Sequence, residues 1–272
     1  MEWTPRAEKE LKKVPFFVRK RVRCKVEEYA RKKALTTVTH ENLKAVKSAY
    51  MSDMDSEIQG YRIETCFGQD GCPNRAAESD HLVAQLEDIF KKEDLRAFLS
   101  ERVKGKLKPH NEIRIAVADC PNACSQPQIK DIGIIGASVS ETTNRECISC
   151  NACVDICREQ AIMINDGLER PEFDYLLCMK CGQCADVCPA GTIVKGTTGF
   201  RVLLCGKLGR HPALARELPG IYDEETVIKI VKTCIRFYKE HNRHGERFAE
   251  VFNNVDIEKA LCVEKPLLIA IP

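Results

Sequence analysis

Cys120-Pro121-Asn122-Ala123-Cys124 is the stretch from which the rest of the chain can be read. Two thiols with three residues between them, on a tight Pro-Asn turn, can face one inorganic cluster. Upstream, Cys66-Phe67-Gly68-Gln69-Asp70-Gly71-Cys72 supplies a second pair, with five residues between its thiols. Together the pairs offer four thiolates, the number a [4Fe-4S] cube takes. Just ahead of the turn, Ile113-Arg114-Ile115-Ala116-Val117-Ala118 alternates like a strand and delivers Cys120 at its end. A second strand is expected at Ile132 to Ile135, closed by Gly136. Strand ends that present a cluster turn, with helices between the strands, give an α+β unit.

Cys-x5-Cys followed later by Cys-x3-Cys resembles the cluster signature of the sulfite and nitrite reductases that carry sirohaem. The flanks Pro73-Asn74-Arg75-Ala76-Ala77-Glu78 and Ser125-Gln126-Pro127-Gln128-Ile129-Lys130-Asp131-Ile132-Gly133-Ile134-Ile135-Gly136 resemble that family as well, so the likeness covers residues 60 to 254. It implies one reductase lobe holding a cube and sirohaem, with Cys124 as the thiolate shared by the two. Gly199 to Leu204 reads as a strand running into a Gly-rich turn, Cys205-Gly206-Lys207-Leu208-Gly209-Arg210-His211-Pro212, which resembles the family's turn and places Gly206 beside the cofactor. The family often has Gly-Gly where this chain has Cys205-Gly206. Asn122, between two ligands, can donate a hydrogen bond to a sulfur or a carboxylate. Sirohaem carries carboxylates and sulfite is an anion, so the active face needs Arg or Lys. By proximity to the motifs the candidates are Arg62, Arg75, Lys130, Lys207 and Arg210, each of which also reads as an ordinary surface charge. His211 is a proton-donor candidate or a turn cap.

Residues 147 to 157 read Cys-x2-Cys-x2-Cys-x3-Cys, and Cys178, Cys181, Cys184 and Cys188 repeat the run thirty-one positions later. This doubled register is the bacterial two-cluster ferredoxin pattern, in which the last cysteine of each run serves the other cube. Cys147, Cys150, Cys153 and Cys188 are therefore expected on one cluster, and Cys178, Cys181, Cys184 and Cys157 on the other. With the set Cys66, Cys72, Cys120 and Cys124 the expected cofactors are three [4Fe-4S] clusters and sirohaem. Arg158 stands where the pattern usually has Pro, which removes a rigid turn and brings a charge near a cluster. A structural zinc site is the alternative for isolated CxxC pairs, and eight cysteines in one doubled register argue against it.

Composition frames the rest. The chain has 272 residues, 44% of them hydrophobic, a formal charge of +2 and sixteen cysteines, enough for two or three units with packed cores. A secreted disulfide framework is opposed by a charged N-terminus without an apolar leader and by twelve cysteines at cluster spacing. No run approaches the ~18 apolar residues of a membrane span. The expectation is a soluble, cytoplasmic, oxygen-sensitive protein that binds neither membrane nor nucleic acid.

Residues 6 to 33 hold twelve Lys or Arg against four Glu, with apolar residues at helical spacing interrupted by Pro15. Two helices meeting at Pro15 are expected, then a third capped by Thr39. Cys24 falls inside this pattern and reads as a small core residue. The words Trp3-Thr4-Pro5-Arg6-Ala7-Glu8 and Val14-Pro15-Phe16-Phe17-Val18-Arg19 resemble the small helical domain that ends one subunit of the dark-operative protochlorophyllide reductase. Further helices are expected between Ala76 and Phe98, and after Asp223, with Cys234 in the core. The expected layout is a basic helical domain over 1–50, a reductase lobe over 51–144 and 196–254, a ferredoxin insert over 145–195, and a tail over 255–272.

These readings lead to a sulfite-reductase-type oxidoreductase acting on sulfite, nitrite or another small anion, with electrons relayed through two insert clusters. The larger sirohaem reductases are built from two related lobes and this chain has one. A homo-oligomer or a partner subunit is therefore expected to complete the cleft, and an electron-donor protein to feed it. The alternative is a non-catalytic iron–sulfur subunit that passes electrons to a partner enzyme.

Overall fold

The computed structural model describes residues 1–164, 170–252, 255 and 259, apart from the side chains at 17, 50–57 and 69. Cys262 and nearly all of the tail over 255–272 lie outside the described residues. The chain divides into two compact units, Met1–Ile58 and Gln59–Pro272.

In the first unit the order is β1 (Glu2–Trp3), α1 (Pro5–Lys12), α2 (Phe16–Lys32), β2 (Thr37–Val38) and α3 (His40–Glu57). Thr4 caps α1 by accepting from the Ala7 N–H, and Pro5 sits in the first turn, where its missing N–H costs nothing. Pro15 is the N-cap of α2. Thr39 caps α3 in a box closed by Asn42. Val26, Ala30 and Val38 form the core, with Trp3, Val22, Leu43 and Val46 packed against them. Cys24 is exposed, against the expectation of a core position. The buried stripe of α2 runs through Val22, Val26 and Ala30, and a residue two positions off that stripe points to the other side.

The second unit is built on a five-stranded sheet in the order β3 (Tyr61–Thr65), β4 (Ile113–Ala118), β5 (Ile132–Thr142), β8 (Ile193–Leu204), β9 (Arg216–Glu217). The first three strands are parallel, and β5/β8 and β8/β9 are antiparallel. Between β3 and β4 run α4 (Asp80–Lys92) and α5 (Leu95–Arg102); after β9 come α8 (Glu224–His241) and α9 (Phe248–Val251). Alternate strand residues Ile113, Ile115, Val117, Ile132, Ile134, Val202 and Leu204 meet the apolar faces of these helices through Leu82, Leu86, Phe90, Val231, Ile235 and Tyr238. Each large apolar side chain buried this way contributes roughly 1.5–3 kcal/mol. The opposite face is thinner, with Ile135 and Leu203 against Ala123, and Ala137 and Val139 against Ile221. Asp223 caps α8 by accepting from the Thr226 N–H at 2.7 Å.

Gly136 does not close β5, which continues to Thr142. A Cβ on Gly136 would lie 2.4 Å from the carbonyl oxygen of Asp119, so the position needs glycine for close backbone approach rather than for a turn. Beyond it, β5 and β8 continue as a two-stranded arm, pairing Ser140 with Lys195 and Thr142 with Ile193. The arm carries the described residues of 143–164 and 170–192 at its end. That segment contains α6 (Ala152–Ile156), the short antiparallel pair β6 (Ile162–Met163) and β7 (Glu172–Phe173), and α7 (Gln183–Asp186).

Candidate functional site

The parallel strands β3 and β4 end side by side, and each releases one cysteine pair at the same edge of the sheet. The Cys66 N–H donates to the Val117 carbonyl at 3.1 Å, which ties the two exits together. After Cys66 a 3-10 turn, Phe67–Asp70, ends at Gly71 in the left-handed region (φ +88°) and brings the chain round to Cys72. After Cys120 the chain turns through Ala123 at φ +52° and Gln126 at φ +58°, and Ser125 Oγ donates to the Val117 carbonyl at 2.8 Å. Cys120 is buried, Cys66 and Cys72 are half-buried, and Cys124 is exposed.

The four thiols are neighbours. Burial pushes the Cys120 thiol up, and charge on Cys66, Cys124 and Cys72 pushes it the same way, while the backbone N–H of Asn122 pulls it down. Asn122 thus acts on Cys120 through its main chain. Cys66 Sγ accepts from the Gly68 N–H and from the Asp119 N–H, both at 3.3 Å. Amides aimed at a sulfur favour its thiolate form, the form in which cysteine binds iron. Four neighbouring thiols, two of them with backbone N–H donors, are the donor type that a [4Fe-4S] cube takes.

The segment on the arm repeats this logic twice. Cys147, Cys150, Cys153 and Cys188 line one small cavity. Cys157, Cys178, Cys181 and Cys184 line another of about 110 Å³. The repeat is visible in the backbone as well. Ser149, Asn151 and Gln160 have positive φ (54°, 59° and 53°), and thirty-one positions later Lys180, Gly182 and Gly191 have it too (62°, 74° and 67°). The Ala161 N–H donates to Cys157 Sγ, the Lys180 N–H to Cys178 and the Ile193 N–H to Cys188, at 3.3–3.4 Å. Burial pushes Cys188 up, but amides of Ile193, Thr192, Gly191 and Ala190 outweigh it, and the thiol lies below its ordinary value. Burial pushes Cys184 up to about 11, against a hydrogen bond with Ser140 at 3.0 Å. Arg158 is exposed at the rim of the larger cavity.

That larger cavity is also lined by Cys120, Pro121 and Asn122. The turn between two thiols of one set is therefore a wall of the space framed by another set. The Ser138 N–H donates to the Lys180 carbonyl at 2.7 Å, holding the second cysteine run against β5.

The basic candidates are placed differently. Arg75 is half-buried and ion-paired with Asp80 and, at 2.7 Å, with Asp119. Lys130 is buried and pairs with Glu64 at 2.5 Å. Lys207 pairs with Glu250 at 3.8 Å. Arg62, Arg210 and His211 are exposed. Gly206 lets the turn after β8 lie on the Gln128–Lys130 backbone, since a Cβ there would meet two carbonyl oxygens at 2.7 Å. Cys205 has φ +71°, a conformation that favours glycine. It is buried, and burial raises its thiol to about 11.

One participant was missed by the sequence reading. Asp119 is buried at the end of β4, its main chain on Cys66 and its carboxylate on Arg75 and Ser79. The available signal was a lone carboxylate ending an apolar strand directly before Cys120.

Four thiols at the ends of parallel strands, beside two further sets of four, are the donor type of iron–sulfur proteins. The chain belongs to the nitrite and sulphite reductase 4Fe-4S domain family, whose model matches residues 61–266. Residues 3–47 match a second model, described as the proto-chlorophyllide reductase 57 kD subunit. The chain is 29% identical over 204 residues to the coenzyme F420-dependent sulfite reductase of Methanocaldococcus jannaschii, a match covering 75% of this chain and 30% of that protein. It is 32% identical over 105 residues to one of the subunits of the anaerobic sulfite reductase of Salmonella typhimurium, covering 39% of this chain and 26% of that one. The chain thus spans less than a third of the length of these relatives. The crystal structure of dissimilatory sulfite reductase I is similar in fold, with a TM-score of 0.52 at 14% identity over 77% of this chain and 54% of the other. No helix among the described residues is long and apolar enough to cross a membrane.

Proposed function

We propose that this chain is a sirohaem- and iron–sulfur-dependent oxidoreductase that reduces sulfite, nitrite or another small oxidised anion. Electrons would arrive through two clusters on the arm over residues 143–192. The observation that carries this reading is the gathering of Cys66, Cys72, Cys120 and Cys124 at one sheet edge, with the Cys120–Asn122 turn forming a wall of the neighbouring thiol cavity.

Cys66, Cys72, Cys120 and Cys124 would hold the cube, and Cys124, the exposed member, would be shared with sirohaem. The cofactor pair supplies a centre that takes up electrons singly while the substrate stays bound, as the six-electron conversion of sulfite to sulfide requires. The chain's own groups do the rest. Backbone amides at Cys66, Cys157, Cys178 and Cys188 stabilise thiolate charge, and β5 and β8 hold the arm at a fixed height beside the Cys120 turn. Lys207, Arg210 and His211 lie on one turn, where cations attract an anionic substrate and the imidazole can deliver a proton. Arg75 and Lys130 act from within ion pairs, so they orient the loops that carry them. Family membership and the sulfite reductases among the relatives support the class of reaction; the substrate is part of the proposal.

A second reading is favoured by one observation. Arg75, Lys130 and Lys207 are each held in ion pairs, which leaves a less basic open face than sirohaem and an anion require. On that reading the chain is an electron-transfer subunit without catalytic sirohaem, and a partner subunit or a second copy supplies the missing cations. Turnover assays with sulfite and nitrite under anaerobic conditions, on protein whose sirohaem content has been measured, separate the two. Turnover proportional to sirohaem supports the first, and cluster-loaded protein without sirohaem or turnover supports the second.

A further inference from the structure

We propose that Asp119 is a positioning residue that sets the electron affinity of the cube held by Cys66, Cys72, Cys120 and Cys124, as a fixed negative charge offset by Arg75. The inference rests on the reading that these four cysteines hold a cube, and it adds a means of regulating that cube.

Asp119 is the hub of the site. It is 2% exposed. Its N–H donates to Cys66 Sγ at 3.3 Å, and its carbonyl accepts from the Ala76 and Ala77 N–H groups at 2.8 and 3.1 Å. Main-chain contacts alone would permit most side chains, but the carboxylate has its own built environment. Ser79 Oγ donates to Oδ1 at 2.5 Å, and Arg75 Nε lies 2.7 Å from Oδ2. Ser79 precedes α4 and makes no side-chain cap to it, so its hydroxyl serves Asp119 instead. A Cβ at Gly68 would lie 2.1 Å from the same Oδ2. The carboxylate therefore rests directly on the backbone of the Cys66–Cys72 loop, one residue from Cys120.

A cube becomes more negative when it accepts an electron, and its potential follows local charge, hydrogen bonds to sulfur and exposure. A carboxylate buried against two ligand loops is poorly screened, so it disfavours reduction. The Arg75 guanidinium, paired with that carboxylate through Oδ2, partly cancels it. The two residues therefore act on the cube with opposite sign, which a merely structural pair would not do.

The test is a redox titration of the full anaerobic protein followed by electron paramagnetic resonance. The signal of this cube is first assigned by its loss in Cys72→Ala. If Cys72→Ala leaves iron content and spectrum unchanged, no cube sits on these cysteines and the underlying reading fails. With the cube assigned, Asp119→Asn is expected to raise its midpoint potential and Arg75→Gln to lower it, with Arg75→Lys restoring most of the wild-type value and the arm's clusters unmoved. Unchanged potentials, or shifts of the same sign, overturn the inference. If Asp119→Asn loses this cube, Arg75→Gln decides by the same criterion. If both lose it while the other clusters stay, the pair is structural and the inference is wrong.

Discussion

Gln183 Nε2 donates to Asn74 Oδ1 at 2.9 Å, a contact that joins the residues after Cys72 to the turn between Cys181 and Cys184. It is a side-chain bridge between two thiol sets, made by residues 109 positions apart in the sequence. Beside it, the Cys120–Asn122 turn completes the common cavity wall.

Removing that bridge tests the electron path. In Gln183→Ala the lost hydrogen bond costs about 1 kcal/mol, and all clusters still assemble. Electron transfer between the arm and the cube at the sheet edge is expected to slow, because the gap between them is no longer pinned. Stopped-flow reduction of the wild type and the variant measures this, and identical rates would contradict the role given to the contact.

Cys124→Ser addresses the thiolate assigned to both metals. The variant is expected to lose magnetic coupling between sirohaem and its cube and to lose sulfite turnover, while both arm clusters stay reducible. Full turnover in Cys124→Ser would show that the assigned role is wrong.

Gly136→Ala should disturb the site from behind. The added methyl meets the Asp119 backbone at 2.4 Å, and overpacking of this kind costs roughly 1–3 kcal/mol. Displacement of Asp119 carries Cys120 with it, so reduced iron content at the sheet-edge cube is expected along with lower thermal stability. A variant with native iron content and stability would remove the close-approach argument.

Asp131 sets a pH dependence. It is buried at the start of β5, and burial raises its pKa to about 6, against the Arg114 N–H and the charges of Arg247 and Arg114. A carboxylate raised in the folded state binds more protons there than in the unfolded chain. Its favourable contribution is full at low pH and is lost as pH rises through about 6. Relative to Asp131→Asn, the wild type should lose about 1–2 kcal/mol of stability between about pH 5 and pH 7. Anaerobic unfolding at the two pH values checks the sign, and a wild type that gains relative to the variant contradicts it.

The cysteine registers carried most of what could be read in advance. Strand β4 was legible because Ile113, Ile115 and Val117 alternate just ahead of Cys120, and the cap at Thr39 because a short polar side chain satisfies a free N–H group of a helix start. Strand β3 was not, since Tyr61-Arg62-Ile63-Glu64-Thr65 offers only two apolar residues in so short an alternation and its pairing with β4 is long-range. The length of β5 was hidden because Gly136 reads locally as a stop, whereas its cause is an approaching backbone. Asp119 was invisible for a similar reason, as its partners Arg75, Ser79 and Gly68 meet it only in three dimensions.

The most direct test is the visible spectrum of the full chain, purified anaerobically from a host that makes sirohaem, with iron, acid-labile sulfide and sirohaem quantified on the same sample. The account predicts sharp isobacteriochlorin bands over a broad cluster absorbance, with about one sirohaem and three cubes per chain. A featureless brown spectrum with iron for the clusters and no sirohaem would contradict it, and would identify the chain as a carrier of electrons to another enzyme.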